Sequence, residues 1–184
     1  MSVSEDTFQR VALEDLEGHW ELTPCGDLRR KPGMVMEHND AARLLAFLLQ
    51  QQLPIETFTV AFNSARLALP GGGSFIPDVV VVPTAVVASA RGRTSVESYD
   101  EPMPLVVEVW SPSTGEYDVT DKLEGYRQRG DSEIWLLHPV ERSLTAWTHA
   151  PGGSYTEAGH TTGEVRPTSL FPVVIRLASL FRFP

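Results

Sequence analysis

The chain has a single cysteine, Cys25, among its 184 residues. No internal disulfide can form, and no thiolate-based zinc site can be assembled. Pro24, Gly26 and Asp27 around it read as a turn beside an acid, which does not favour a thiolate nucleophile. Long apolar runs are also missing: the stretches 77–82 and 105–110 fall far short of the roughly 20 residues that span a bilayer. Residues 1–9 carry Glu5 and Asp6 and lack the apolar segment of a secretory signal. They are expected to belong to a solvated tail over 1–18, leading into one cytoplasmic domain over 19–184. Basic residues are scarce, 15 Lys and Arg against 24 Asp and Glu, for a net charge of -9. That argues against a general nucleic-acid coat, whose affinity rests on basic surface. It does not exclude a metal-centred site, which collects carboxylates and whose bound cation reverses the local field. Neither a Gly-x-Ser-x-Gly elbow nor a P-loop is present, since Gly71 to Gly73 lack the Lys-Ser/Thr that would follow.

What is present fits an ordinary globular domain: 42% hydrophobic and 21% charged residues, with length for one sizeable core. Ala41, Leu44, Leu45, Leu48 and Leu49 recur at helical spacing and predict a helix capped by Asn39 or Asp40 and running to about residue 52. Residues 58–69 alternate in part and end at Pro70-Gly71-Gly72-Gly73, as a strand entering a hairpin does. The valines 79–82 and the run 105–110 predict strands buried on both faces. A polar surface loop over 91–104 separates them. Residues 117–129 read as a helix stopped by Gly130, and 132–137 as a third buried strand. The stretches 144–148 and 155–158 flank Pro151-Gly152-Gly153 as an antiparallel hairpin. The fold class is therefore α/β, a mixed central sheet flanked by helices with antiparallel hairpins.

Two acids stand out by position. Asp78 opens the valine strand, and Glu108 lies inside Leu105-Val-Val-Glu-Val-Trp110. A carboxylate in such a setting pays several kcal/mol of desolvation unless it is paired or binds a metal. The residues alone leave both readings open: Glu108 in a buried ion pair with Asp78 capping its strand, or both acids facing one metal. On the following helix Asp118, Lys122 and Tyr126 recur every four residues and form one polar stripe. That stripe is either a solvated Asp118–Lys122 pair worth tenths of a kcal/mol, or it brings Lys122 over the sheet toward the two acids. His38, at a helix start, is either a packing residue or a proton-transfer group.

The ordered combination of Pro77-Asp78-Val-Val-Val-Val, then Val107-Glu108-Val109-Trp110-Ser111-Pro112-Ser113-Thr114, then Asp118, Lys122 and Tyr126 resembles the Uma-type restriction endonuclease family of the PD-(D/E)XK nuclease superfamily. The resemblance runs from about Trp20 to the C-terminus. Trp20-Glu21-Leu22 with Gly26-Asp27-Leu28 is similar to the family's opening hairpin, Glu37-His38 to its first helix start, and Ile134-Trp135-Leu136 with Pro139 to its late strand. It implies a restriction-endonuclease-like fold and a divalent-metal-dependent endonuclease that hydrolyses DNA. In that picture Asp78, Glu108 and the Val109 carbonyl ligate Mg²⁺ or Mn²⁺, hard cations that take oxygen ligands and keep several waters. Catalysis rests on Asp78, Glu108 and Lys122. Asp27, His38, Asp118 and Tyr126 support them, with Asp27 in the place of the superfamily's first acid. Two departures stand: Trp110 occupies the usual lysine position two residues past Glu108, for which Lys122 is the substitute, and Asp27 replaces a glutamate one methylene longer.

The implied partners are DNA and a second copy of the chain in a homodimer. Arg91, Arg93, Arg127 and Arg129 are expected to give the local basic patch that a chain of this charge needs to hold DNA. The competing reading is a nuclease-fold protein without catalysis that binds nucleic acid or a protein. Convergence of Asp78, Glu108 and Lys122 on one open cleft favours the enzyme; Glu108 closed against a cation without room for a metal favours the other.

Overall fold

The computed structural model describes residues 2–15, 18–112 and 117–182, with the main chain alone at 118 and 119. The first stretch is not a solvated tail. Ser4 caps helix α1 (Glu5–Glu14), its hydroxyl accepting the Thr7 amide at 3.3 Å, and Glu5 and Asp6 occupy the acid-favouring first turn. Phe8 is its buried residue, with Val11 and Ala12 partly buried at i+3 and i+4, a short helical period that the acidic start obscures. Strands β1 (Trp20–Leu22) and β2 (Leu28–Arg30) form an antiparallel hairpin with Glu21 opposite Arg29. Helix α2 (Met36–Gln50) starts three residues before the expected Asn39, without a side-chain cap. Burial of Ala41, Ala42, Leu45, Ala46 and Leu49 holds it instead.

Residues 58–69 divide at Asn63, whose φ is 49°, into β3 (Phe58–Phe62) and β4 (Arg66–Ala68). β5 (Ser74–Phe75) returns antiparallel to β4. Then follow β6 (Val79–Pro83), α3 (Thr84–Ala90), β7 (Ser98–Tyr99) and β8 (Leu105–Val109). A π-helical turn, Asp118–Lys122, runs straight into α4 (Leu123–Arg129), which Gly130 ends in the left-handed conformation at φ 77°. β9 (Glu133–His138), β10 (Ser143–His149) and β11 (Tyr155–His160) form a meander. The short strands β12 (Glu164–Val165) and β13 (Ile175–Arg176) and helix α5 (Leu177–Leu180) follow.

Six strands form the central sheet in the order β11-β10-β9-β8-β6-β3, and five form a second sheet in the order β2-β1-β5-β4-β7. The central sheet is mixed: β6 and β8 run antiparallel, β8 and β9 parallel. The parallel pair needs a crossover, which the π turn and α4 supply. Strand parity then distributes the side chains. Val79, Val81, Leu105, Val107 and Val109 pack with α2, while Val80, Val82 and Val106 face Leu67 and Phe75 of the second sheet, Leu69 just past β4, and Leu123 and Tyr126 of the crossover. The valine strand is buried on both faces, as its composition predicts. Among the described residues no helix is long and apolar enough to cross a membrane.

Candidate active site

Glu108 has the parity of Val106, so it points away from α2 and toward the crossover. Asp78 sits just before β6, fixed by the Asn63 amide donating to its carbonyl at 3.0 Å. Glu21 lies mid-strand in β1. All three acids are at most 2% exposed. Lys122, at the end of the π turn, is 1% exposed. Its Nζ lies 2.9 Å from Glu21 and 3.2 Å from Glu108. Lys31, one residue past β2, lies 2.7 Å from Asp78 Oδ1 and also donates to Asn63 Oδ1 at 2.8 Å. The Ile76 peptide joins the halves: its N–H donates to Glu21 at 2.7 Å, and its carbonyl accepts from Lys31 at 3.0 Å and Lys122 at 3.5 Å.

Asp78 is further held by the Val109 amide at 2.7 Å and by His38 Nε2 at 3.0 Å, both on Oδ2. Burial alone would push its carboxyl up, but Lys31 and the His38 contact outweigh that and keep it well below the usual carboxylate range. An ionised carboxylate only accepts, so His38 Nε2 carries the hydrogen. Tyr126 donates to Glu108 at 2.6 Å. Above this floor opens a cavity of about 330 Å³, lined by Glu21, Arg29, Arg30, Lys31, Pro32, Met34, Asp78, Glu108, Tyr117 and Lys122.

The structure thus brings Asp78, Glu108 and Lys122 to one cavity. Tyr126, His38 and the Val109 main chain stand directly behind them. The solvated-pair reading of Lys122 does not hold, because the side chain is buried between two acids. The side chain of Asp118 lies outside the described residues. Asp27 does not join the others. It is exposed on the β1–β2 turn, where its main chain bridges to Ser2 and its amide bonds Thr23 Oγ1 at 3.0 Å. The acid contributed by the first hairpin is Glu21. Its signal was in the sequence, a carboxylate between the apolar Trp20 and Leu22, the same argument that singled out Glu108. Lys31 carries no such signal, since it follows Arg29 and Arg30 in what reads as a basic surface run. Trp110 does not line the cavity and stacks on His138, ring centroids 4.1 Å apart.

The expected basic patch also changes. Arg129 is 6% exposed and acts as an internal clasp on Asp131, Ala68, Tyr99 and Glu101. Arg91 and Arg93 line a separate depression beside β7. The arginines at the carboxylate cavity are Arg29 and Arg30.

Among the described residues no three acid, histidine or cysteine side chains are set closely enough to enclose a metal ion. The donors therefore do not make a closed cage. Two carboxylates, Asp78 and Glu108, bordering an open cavity are the donor class of Mg²⁺, which is commonly held by one or two carboxylates and keeps several waters. The residues fit a hard divalent cation on these grounds.

A mixed six-stranded sheet crossed by a helix, with acids at the adjoining ends of β6 and β8, is a nuclease-type fold. A crystal structure of "a putative nuclease belonging to DUF820" from Anabaena variabilis has this fold too, with a TM-score of 0.72 and 16% identity over 89% of each chain. No curated protein matches the chain. The model of the Uma2 family, described as "Putative restriction endonuclease", matches residues 5–178, and the chain belongs to that family. The matched span includes α1.

Proposed function

We propose that this chain is a divalent-metal-dependent endonuclease that hydrolyses DNA phosphodiester bonds. The observation that carries the reading is the floor of buried acids and lysines lying beneath an open cavity instead of sealed in the core. Asp78, Glu108 and the Val109 carbonyl would hold Mg²⁺ or Mn²⁺. When bound, the ion would polarise the scissile phosphate and lower the pKa of an attacking water. Lys122, anchored by Glu21 and Glu108, would set a positive charge where phosphoryl oxygens gain negative charge. His38 and Tyr126 act behind the acids: His38 fixes Asp78, and Tyr126 fixes Glu108. A homodimer in the cytoplasm completes the reading.

One observation favours the non-catalytic alternative. Glu108 is already paired with Lys122 and Tyr126, as a structural remnant would be. Calorimetric titration with Mn²⁺ and Mg²⁺, run alongside plasmid cleavage, separates the two. The catalytic reading requires binding in wild type, its loss in Asp78→Asn and Glu108→Gln, and cleavage that disappears with it. Wild type that binds neither ion at millimolar concentration sinks it.

A further inference from the structure

Tyr117 opens the crossover and lines the cavity beside Lys122. Its ring packs edge-on against Phe75 at 5.9 Å. Its hydroxyl oxygen is shielded from solvent and has no hydrogen-bond partner among the described residues. Buried hydroxyls are rarely left this way, and such a group calls for a missing acceptor. Burial, with Glu21 next, pushes the phenol above its usual range, so it stays protonated and can donate.

The Arg29 guanidinium lies over the same ring, 4.4 Å from its centre. Arg29 is directly across from Glu21 in the β1–β2 ladder, so both side chains leave the same face of the hairpin. Unlike Lys31 and Lys122, it is exposed. Stacking occupies the face of a guanidinium and leaves its in-plane N–H donors available. The cavity therefore has two unlike sides: a floor of acids, and a wall with one neutral O–H donor and one planar cation.

We propose that Tyr117 and Arg29 form a phosphate subsite that grips the non-bridging oxygens of a DNA phosphodiester and sets it against the acidic floor. The proposal rests on the nuclease reading for the identity of its ligand, and it assigns substrate positioning to residues outside the metal and lysine set. A floor that favours cations and a wall that favours oxyanions suit a ligand entering with a cation on one side and phosphate oxygens on the other.

The test measures affinity for a short fluorescent DNA duplex in Ca²⁺, with KM and kcat in Mg²⁺ or Mn²⁺ and melting temperature for each variant. Tyr117→Phe keeps the ring packing and removes the donor. It should weaken duplex binding and raise KM on the order of tenfold, as loss of a hydrogen bond to a charged oxygen does. Its melting temperature should hold or rise. Arg29→Met should weaken binding about as much and flatten the dependence of log Kd on log salt by about one unit, the signature of one lost phosphate contact. Wild-type affinity in Tyr117→Phe overturns the proposal, as does a fall in melting temperature with affinity unchanged, since the hydroxyl is then structural. If both variants weaken binding but wild type cleaves no DNA with either metal, the subsite stands and the nuclease reading falls. If wild type binds no DNA, both fall.

Discussion

Replacing Lys122 by methionine removes an ammonium that lies 2.9 Å from Glu21 and 3.2 Å from Glu108. At an effective dielectric of about 20, each contact is a gross attraction of about 5 kcal/mol, most of it offset by the desolvation of three charges. Removing only the lysine leaves both acids buried and facing each other, and breaking a buried pair in this way costs about 3–5 kcal/mol. An exposed pair would cost under about 1 kcal/mol. For a chain of this length the larger figure lowers the melting temperature by roughly 6–20 °C. A second change separates stability from chemistry. In Lys122→Met/Glu21→Gln one negative charge is gone, while the glutamine can still accept the Ile76 amide. Much of the stability should return. Cleavage should not, staying about a hundredfold or more below wild type, the usual loss for one preorganised electrostatic group. Urea unfolding gives the stabilities, and plasmid nicking well below the lowest melting point gives the rates. A stability change under about 1 kcal/mol in the single variant would refute the buried-pair reasoning. A double variant that cleaves at the wild-type rate would remove Lys122 from the chemistry.

Asp78→Asn should abolish Mn²⁺ and Mg²⁺ binding by calorimetry. Because Lys31 and His38 depress the folded-state pKa of Asp78, its contribution is complete above the unfolded value of about 4 and is lost as pH falls through the lower folded value. The stability gap between wild type and Asp78→Asn should therefore stay flat from neutral pH to about 4 and close below it. A gap that closes at higher pH would place the lysine elsewhere. At Gly125 a Cβ would come within 2.8 Å of Phe75 and 3.0 Å of Leu69, so Gly125→Ala should cost about 1–3 kcal/mol by overpacking. It should also lower activity, because α4 carries Tyr126 and continues the turn that carries Lys122, whereas a well-tolerated alanine would mean that α4 shifts freely. Leu45→Ala, in the α2 core, should cost about 2–5 kcal/mol in urea unfolding with catalytic constants unchanged in the remaining folded protein.

The legible parts of this chain are those where burial writes a pattern. Four valines and the run around Glu108 read as strands buried on both faces, and they are; the side to which Glu108 points came from the fold. Lys122 and Tyr126 were readable as one stripe with Asp118 at four-residue spacing, but only the fold decided between a solvated pair and a side chain buried between two acids. The failures have equally physical causes. α1 has a serine cap and Phe8, Val11 and Ala12 at helical spacing, but its acidic first turn and single fully buried side chain made it read as a solvated tail. Residues 58–69 looked continuous because neither Asn63 nor Ser64 forbids a strand, yet a left-handed Asn63 sends the two halves to different sheets. Asp27 was chosen from the spacing of a motif. The register of the hairpin instead puts Glu21 at the site and leaves Asp27 on the turn. Lys31 was invisible because its partners, Asn63, Ile76 and Asp78, lie 32 to 47 residues away.

The unusual features of the molecule fall in one place. A buried network of acids and lysines is seldom the most stable choice, since well-packed apolar residues in its position are often neutral or better. A π-helical turn gives up regular α-helical hydrogen bonding and is found chiefly at functional sites. A shielded hydroxyl without an acceptor is likewise unfavourable. Here the π turn ends on Lys122, the hydroxyl belongs to Tyr117 just before it, and the acids lie beneath them, all bordering one cavity. The apolar cores on the two faces of the sheet carry the pattern expected of ordinary packing. When local rules are broken together at a solvent-reachable site and kept in the surrounding cores, function is the economical account of the exceptions. That argument favours an active centre over a remnant, and its most exposed element is Lys122: a remnant could lose that charge and one acid together and change nothing but its stability.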